Sequence, residues 1–477
     1  MKHHKFTSGD QIAFAKLSGD YNPLHVDAVV ARRLLFGSTV IHGINSLLWS
    51  LNSWLENKTE NIEFCSIKTV FSKPIREDEE VSLLLKNVDE RHVEIKLLSG
   101  ESIMTIIEIE WDKSEHRNLN YFETRFPPKR QPRVLLEDEI EARSGTLDLY
   151  LNIEVAAKYF PHLIRCVSPL QIAVLISTTR LVGMECPGLH SLYAELSLFA
   201  SNTHECTKLK YEVTKFDKRF SLLYMNIMTL GMTGIIKAFV RPTPQKQDRC
   251  LGLKGLVNSN EFSGQRALII GGSRGLGEVT AKLLSVGGAE VKITYYQGAK
   301  DARRVVSEII SEGGSADSFS FDVLDNQMNV ADRLGSGWAP THLYYFATPF
   351  IALGTKGVFS ASLFQKFCNY YVIGFQRIIK QLSDLGLKGV LFPSSVFVNE
   401  LPSNMGEYAA AKMAGEVLCT ILESAQQDIT IYKPRLPKVA TDQTVGLIMS
   451  ADNQDPVSIM LEHLRNLRDS SMSQQKK

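Results

Sequence analysis

The stretch Ala267-Leu-Ile-Ile-Gly-Gly-Ser-Arg-Gly-Leu-Gly277 puts a short apolar run directly before four glycines. Leu276 to Val286 then carries apolar residues at helical spacing, so the reading is a buried strand, a tight turn and a helix. Outward from there the order repeats, with Glu290 to Tyr295 as a strand and Ala302 to Glu312 as a helix. Alternating strands and helices imply a parallel sheet, because each connection must cross back over one face before the next strand starts. Residues 262–468 are therefore expected to form an α/β domain with a doubly wound parallel sheet. Gly389 to Ser395 supplies a later strand and Pro456 to Arg468 an amphipathic helix, while the polar residues 469–477 read as a disordered tail.

Toward the N-terminus the pattern differs. Residues 1–113 begin with helical patterning, pass through an apolar helix near Ile44 to Leu55, and end in alternating strands such as Glu80 to Leu85 and His92 to Leu98. Residues 114–134 are charged and carry Pro127, Pro128 and Pro132, the composition of a linker. Residues 135–242 then repeat the helix-then-strands order, with helical patterning over 153–182 and strands near 192–199, 208–216, 220–228 and 234–240. This is read as a degenerate copy of the first domain. A second linker spans 243–261. The length of 477 residues exceeds one ordinary core, in line with three domains.

Composition narrows the function classes. Hydrophobic residues are 44% and charged residues 22%, the mixture of a folded globular chain. A net charge of +1 gives no pull toward nucleic acid or anionic lipid, and no apolar stretch is long enough to span a bilayer. The seven cysteines, Cys206 among them, are scattered with no C-x-x-C pair, which suggests free thiols in a reducing cytoplasm and no structural metal.

Phe14-Ala-Lys-Leu-Ser-Gly-Asp-Tyr-Asn-Pro-Leu-His-Val-Asp27 places Asp20 and His25 on either side of an Asn-Pro turn. Pro23 interrupts helical geometry, so a carboxylate and an imidazole can face each other over a bend and share one water. Phe36-Gly-Ser-Thr-Val-Ile-His-Gly43 runs straight into the apolar helix. The amide at Gly43 thus sits at a helix N-terminus, where it can polarise a carbonyl and stabilise a developing enolate. Residues 14–43 resemble the motif of the MaoC-like, (R)-specific enoyl-CoA hydratases, a hotdog-fold family. The resemblance implies that Asp20 and His25 are the catalytic pair, that Asn22 supports the turn, and that Gly43 donates to the thioester oxygen. The central copy holds His162 with no carboxylate at matching spacing, so its expected role is to pair with the first copy and wall the acyl tunnel. Met184-Glu-Cys-Pro-Gly-Leu-His190 is distinctive but suggests no chemistry.

In the C-terminal domain, the glycine turn allows the backbone to approach a pyrophosphate bound at the following helix N-terminus. The second strand ends at Tyr295-Tyr-Gln297 with no acidic residue for the ribose hydroxyls, and Arg274 offers a guanidinium to a 2′-phosphate, so NADPH is expected over NADH. Asp322, after the third strand, would meet the adenine. Tyr408 and Lys412 are four apart on a helix and share a face, with the ammonium favouring phenolate and Ser395 holding a ketone oxygen. These positions resemble the short-chain dehydrogenase/reductase family over about 262–442. The resemblance implies catalysis by Ser395, Tyr408 and Lys412. It also implies cofactor contacts at Gly271, Ser273, Arg274, Gly275, Leu276, Gly277, Asp322, Ala347, Tyr408, Lys412 and Thr441. Three departures stand out: Tyr345-Phe-Ala-Thr348 replaces Asn-Asn-Ala-Gly, Tyr371 occupies the supporting asparagine position with Asn369 close by, and Pro434-Arg435 replaces Pro-Gly.

Together these imply an α+β double hotdog followed by an α/β Rossmann domain. The expected function is a bifunctional enzyme on acyl-CoA or acyl carrier protein thioesters, pairing a hydratase with an NADPH-dependent 3-oxoacyl reductase. Both families commonly associate, so a homo-oligomer is expected. The alternative is an active hydratase carrying a nucleotide-binding scaffold with impaired catalysis.

Overall fold

The computed structural model describes residues 2–114, 122–202, 207–426, 428–444, 446 and 453–474, which leaves Cys206 outside the described residues. The chain divides into two compact units, the first Met1–Thr243 with 446–449, the second Pro244–Val445 with 450–477.

The first unit is built on one ten-stranded sheet: β1 (Lys2–Lys5), β2 (Ile62–Phe71), β3 (Glu80–Asn87), β4 (His92–Ser99), β5 (Ser102–Lys113), β6 (Ser144–Leu147), β7 (Ser191–Ala200), β8 (Leu209–Asp217), β9 (Leu222–Thr229) and β10 (Met232–Val240). The spatial order is β1-β3-β4-β5-β2-β7-β10-β9-β8-β6. Residues 2–113 form a β/α hotdog-like domain in which the helix Gly43–Trp54 lies on the sheet and buries Ile44, Leu47, Leu48 and Leu51. Alternate strand residues such as Val93, Ile95 and Leu97 meet it from the other side, the period-2 burial expected of a half-covered sheet. The second half has the same internal strand order, β6-β8-β9-β10-β7, and joins the first through antiparallel β2 and β7, Ser66 opposite Phe199. Its central helix Pro169–Arg180 is buried along its whole length, sharing one core with the first half.

The second unit carries a six-stranded parallel sheet made of β11 (Arg266–Ile270), β12 (Glu290–Tyr295), β13 (Ser315–Ser320), β14 (His342–Tyr345), β15 (Gly389–Leu391) and β17 (Thr430–Tyr432). Its order is β13-β12-β11-β14-β15-β17, and a separate two-stranded pairing joins β16 (Ser394–Ser395) to β18 (Arg435–Leu436). Neighbours change direction from β11, so the crevice at the carboxyl ends of β11 and β14 is the switch point where doubly wound sheets bind ligands.

Three segments depart from expectation. Residues 122–134 do not hang free: Glu123 bridges Tyr150, Val134 bridges Gly188, and Phe122 packs on the core. Of the expected linker 243–261, residues 244–261 form part of the second unit, because Cys250, Leu253 and Val257 bury against its core and Cys250 N–H donates to Glu308 (2.8 Å). Their sparse apolar side chains are hidden in sequence by the surrounding prolines and charges. The last helix runs Pro456–Gln474, six residues into the supposed tail; Ser471 is buried there, which supports the extra turns. Residues 475–477 lie outside the described residues.

Candidate functional site

The helix Ser8–Ser18 stops at Gly19, whose φ of 77° turns the chain in a left-handed cap. Asp20 follows at 1% exposure. Its Oδ1 accepts from Asn22 N–H (3.1 Å) and its Oδ2 from the Thr179 hydroxyl (2.7 Å). Asn22 caps the short helix Pro23–Val26 through Leu24 N–H (3.1 Å), and its Nδ2 donates to the carbonyls of Gly183, Gly188 and Leu189 at 3.0–3.2 Å. The turn is thus plugged into a loop of the second half, and the Met184–His190 stretch acquires a role as its socket.

His25 Nδ1 lies 2.8 Å from the Val40 carbonyl. A carbonyl can only accept, so Nδ1 carries the proton and Nε2 keeps a lone pair in the neutral ring. His42, missed at the sequence level although it adjoins Gly43, stacks on His25 with ring centroids 4.0 Å apart. Its Nε2 donates to the Asp20 carbonyl (3.0 Å), and with the Gln11 amide correctly oriented its Nδ1 accepts at 3.2 Å. Asp20, His25 and His42 bring one polar side-chain atom each within 4.8 Å of one another. Both His42 nitrogens are engaged, so the group suits a shared water between Asp20 and His25 Nε2 better than a metal ion.

Burial raises the Asp20 carboxyl above its ordinary range, opposed by His25, Thr179, Asn22 and Arg180. Burial likewise lowers His25, opposed by Asp20 and the Val40 bond, with the Arg241 cation adding to the fall. His25 is held neutral as a base. His42 is driven well down by burial and by His25. Asp20 and His25 open on a cavity of about 210 Å³ lined by Leu24, Phe36, Ile41, Phe71, Val182 and Tyr193 among others, with Gly43 in its wall. First-turn N–H groups of a helix have no intrahelical partner, and Gly43 begins the helix Gly43–Trp54. Gly43 has no Cβ, and one would press on the Phe71 ring. Gly183 is equally constrained, since a Cβ there would overlap the Asp20 carboxylate.

In the second unit, the glycine turn connects β11 to the helix Gly275–Val286. Gly271 (φ 84°) lies against the backbone of Phe346 and Ala347 beyond β14, and a Cβ on Gly277 would strike the Gly271 carbonyl. Ser273 is buried, Leu276 packs on the core, and buried Thr441 faces Gly275. Gly271, Gly275, Gly277, Ala347 and Thr441 are thus brought together beside the carboxyl ends of β11 and β14. Arg274 lies 3.4 Å from the Asp442 carboxylate, beside Thr441. Asp322 accepts from Leu324 N–H (2.9 Å) after β13.

Ser395 ends β16, and Tyr408 and Lys412 sit on the helix Gly406–Ala425, all three under 9% exposed. Burial pushes the Tyr408 phenol up to about 12, with the Ser395 hydroxyl pulling the other way. Burial brings the Lys412 ammonium down to about 7. Lys412 donates to the Pro393 carbonyl (2.7 Å) and lies 3.9 Å from the Tyr371 ring centroid. Tyr371 therefore takes the place behind the lysine, with its hydroxyl bonded to Thr348 (2.5 Å), whereas Asn369 bonds Gln365 on the surface. Arg435 pairs with Glu416 at 2.7 Å.

Residues 1–107 match the family model described as a MaoC like domain. The chain is 44% identical over 211 residues to the 3-oxoacyl-[acyl-carrier-protein] reductase of Synechocystis sp., which covers 41% of this chain and 81% of that protein. It is 38% identical over 71 residues to the peroxisomal multifunctional enzyme type 2 of Drosophila melanogaster, 14% of this chain and 12% of that enzyme's length. A short-chain dehydrogenase from Shigella flexneri, solved in complex with NADP, is 22% identical with a TM-score of 0.40, covering 43% of this chain and 92% of that one. The chain belongs to the short-chain dehydrogenase/reductase family, with a MaoC-like hydratase domain fused ahead of its reductase-type domain.

Proposed function

We propose that the protein is a bifunctional acyl-thioester enzyme. Its first unit hydrates 2-enoyl thioesters to (R)-3-hydroxyacyl thioesters, and its second reduces 3-oxoacyl thioesters with NADPH. The observation that carries the reading is the Asp20 carboxylate and the His25 imidazole converging on one small site beside the Gly43 helix terminus and an apolar cavity. A water there loses a proton to the pair as its oxygen attacks the β-carbon, while the Gly43 amide steadies the enolate; the same pair returns a proton to the α-carbon. The second half of the sheet, with its matching strand order, is a degenerate hotdog copy that has lost the acid and kept the wall. In the other unit the Tyr408 phenol would give its proton to a ketone oxygen held by Ser395, with Lys412 favouring the phenolate left behind; NADPH, when bound at the Gly271–Gly277 turn, would supply the hydride.

The two reactions share the 3-hydroxyacyl thioester, so fusion raises the effective concentration of an intermediate such as 3-hydroxybutyryl. Coenzyme A and acyl carrier protein are both suitable carriers, and a homo-oligomer in a reducing cytoplasm suits two associating families and the six described free cysteines. A second reading is favoured by one observation: the Tyr371 ring occupies the lysine's rear, where the family's asparagine would sit. There the second unit binds nucleotide as a scaffold.

Purified protein should remove the conjugated absorbance of crotonyl-CoA, with Asp20→Asn and His25→Ala each slowing this by about 10²–10⁴-fold. Unchanged rates in both variants would sink the hydratase assignment. It should also oxidise NADPH with acetoacetyl-CoA and lose that activity in Tyr408→Phe; tight NADPH binding without turnover on any 3-oxoacyl thioester selects the scaffold reading.

A further inference from the structure

Among the described residues the second half of the ten-stranded sheet presents no Asp/Glu–His cluster like that of Asp20 and His25, yet it reaches into the site of the first. Thr179 lies in the last turn of the buried helix Pro169–Arg180 and is itself 3% exposed. Its hydroxyl donates to Asp20 Oδ2 at 2.7 Å across 159 residues of sequence. The other carboxylate oxygen is held by Asn22 N–H. Directly after this helix the chain widens into the π-turn Leu181–Glu185, and Gly183 within it leaves the space that the carboxylate fills.

We propose that Thr179 is a positioning residue for the hydration reaction, fixing which lone pairs of Asp20 point into the cavity and holding the carboxyl in its ionised form. The inference rests on the hydratase reading and adds to it a contribution from the half that lacks the acid. With Oδ1 and Oδ2 each accepting one bond from the protein, one lone pair on each oxygen remains for the water shared with His25. Removing the Thr179 bond frees the carboxylate to rotate about its own axis and weakens its hold on that water. The charged or titratable groups facing Asp20 are His25 and His42 from the first half and Arg180 from the second. A hydrogen bond from a neutral donor stabilises the charged acid, so its loss raises the Asp20 pKa, and a reaction needing the carboxylate then fades at higher pH.

The experiment compares the wild-type chain with Thr179→Val, Thr179→Ser and Asp20→Asn in crotonyl-CoA hydration across pH. Val matches threonine in shape and lacks only the donor; Ser keeps the donor and lacks the methyl. The expected result for Thr179→Val is a kcat lowered by about tenfold with KM little changed, and an acid limb moved up by about one pH unit. Thr179→Ser should restore both. Wild-type kcat and limb in Thr179→Val would overturn the assignment, as would a Thr179→Ser variant no better than Thr179→Val, since packing alone would then explain the effect. If the wild type does not hydrate crotonyl-CoA, the functional reading fails separately. The Asp20 carboxylate band, isolated as the infrared difference between wild type and Asp20→Asn, then decides: a titration midpoint that does not rise in Thr179→Val rejects the role.

Discussion

Lys412 sits where two demands on one residue conflict: the proposed reduction needs its cation beside Tyr408, and burial there disfavours that charge. Its pKa falls from 10.5 to about 7, so the folded state prefers the neutral amine between those values. Below about pH 7 the ammonium is charged in both states and its burial weakens the fold by the full amount; above 10.5 the cost vanishes. Lys412→Met should therefore raise the melting temperature most at pH 6 to 7, with the gain shrinking as pH climbs toward 10.5, as thermal unfolding across pH will show. A gain independent of pH would mean that packing, not charge, limits stability there. Asp20, Asn22 and His25 were legible in the sequence because six consecutive residues hold all three. Thr179 and Gly183 were not, because they meet Asp20 only through a fold that brings residues about 160 apart together. Tyr371 was visible as a departure, but its stacking beneath the lysine needed the coordinates.

Elements were legible where one period ruled. The strand Glu290–Tyr295 has the bounds expected of it, and the helix Gly275–Val286 begins one residue early. Lys2–Lys5 escaped notice because Lys-His-His-Lys offers no apolar alternation; it is a strand only because β3 pairs with it, Lys2 opposite Leu83. The stretch 153–182, expected as largely helical, is three helices broken at Pro161 and Pro169, each starting a new first turn. The π-turn beyond them had no sequence signal. Gly183→Ala should place a methyl against Asp20, costing about 1–3 kcal/mol in denaturant unfolding and most of the hydration rate. Gly277→Ala, by pushing Gly271 out of the turn, should abolish NADPH binding in calorimetry while hydration persists. A Gly277→Ala variant with wild-type affinity would show that the cradle adjusts.

At the scale of the whole molecule, each unit has its own core, and the terminal helix belongs to the second. Val457, Met460, Leu461, Leu464 and Leu467 are buried in it, and each is worth about 1.5–3 kcal/mol if exposed. Ending the chain at Asp455 should make the second unit susceptible to limited proteolysis and cost it NADPH binding. Crotonyl-CoA hydration per mole should be unchanged, because among the described residues none that lines that site lies beyond Phe239. Parallel topology was readable from alternating elements, and the central segment was expected to pair with the first, whereas the particular seam of the shared sheet, β2 against β7, is a pairing that no local pattern encodes. That sheet ends on both sides in strands of four residues, β1 and β6, and the first bears Lys2 and Lys5. Margins this short, one of them carrying lysines, give a foreign chain little backbone to zip onto, so the molecule's widest β surface should resist fibrillar growth even when crowded.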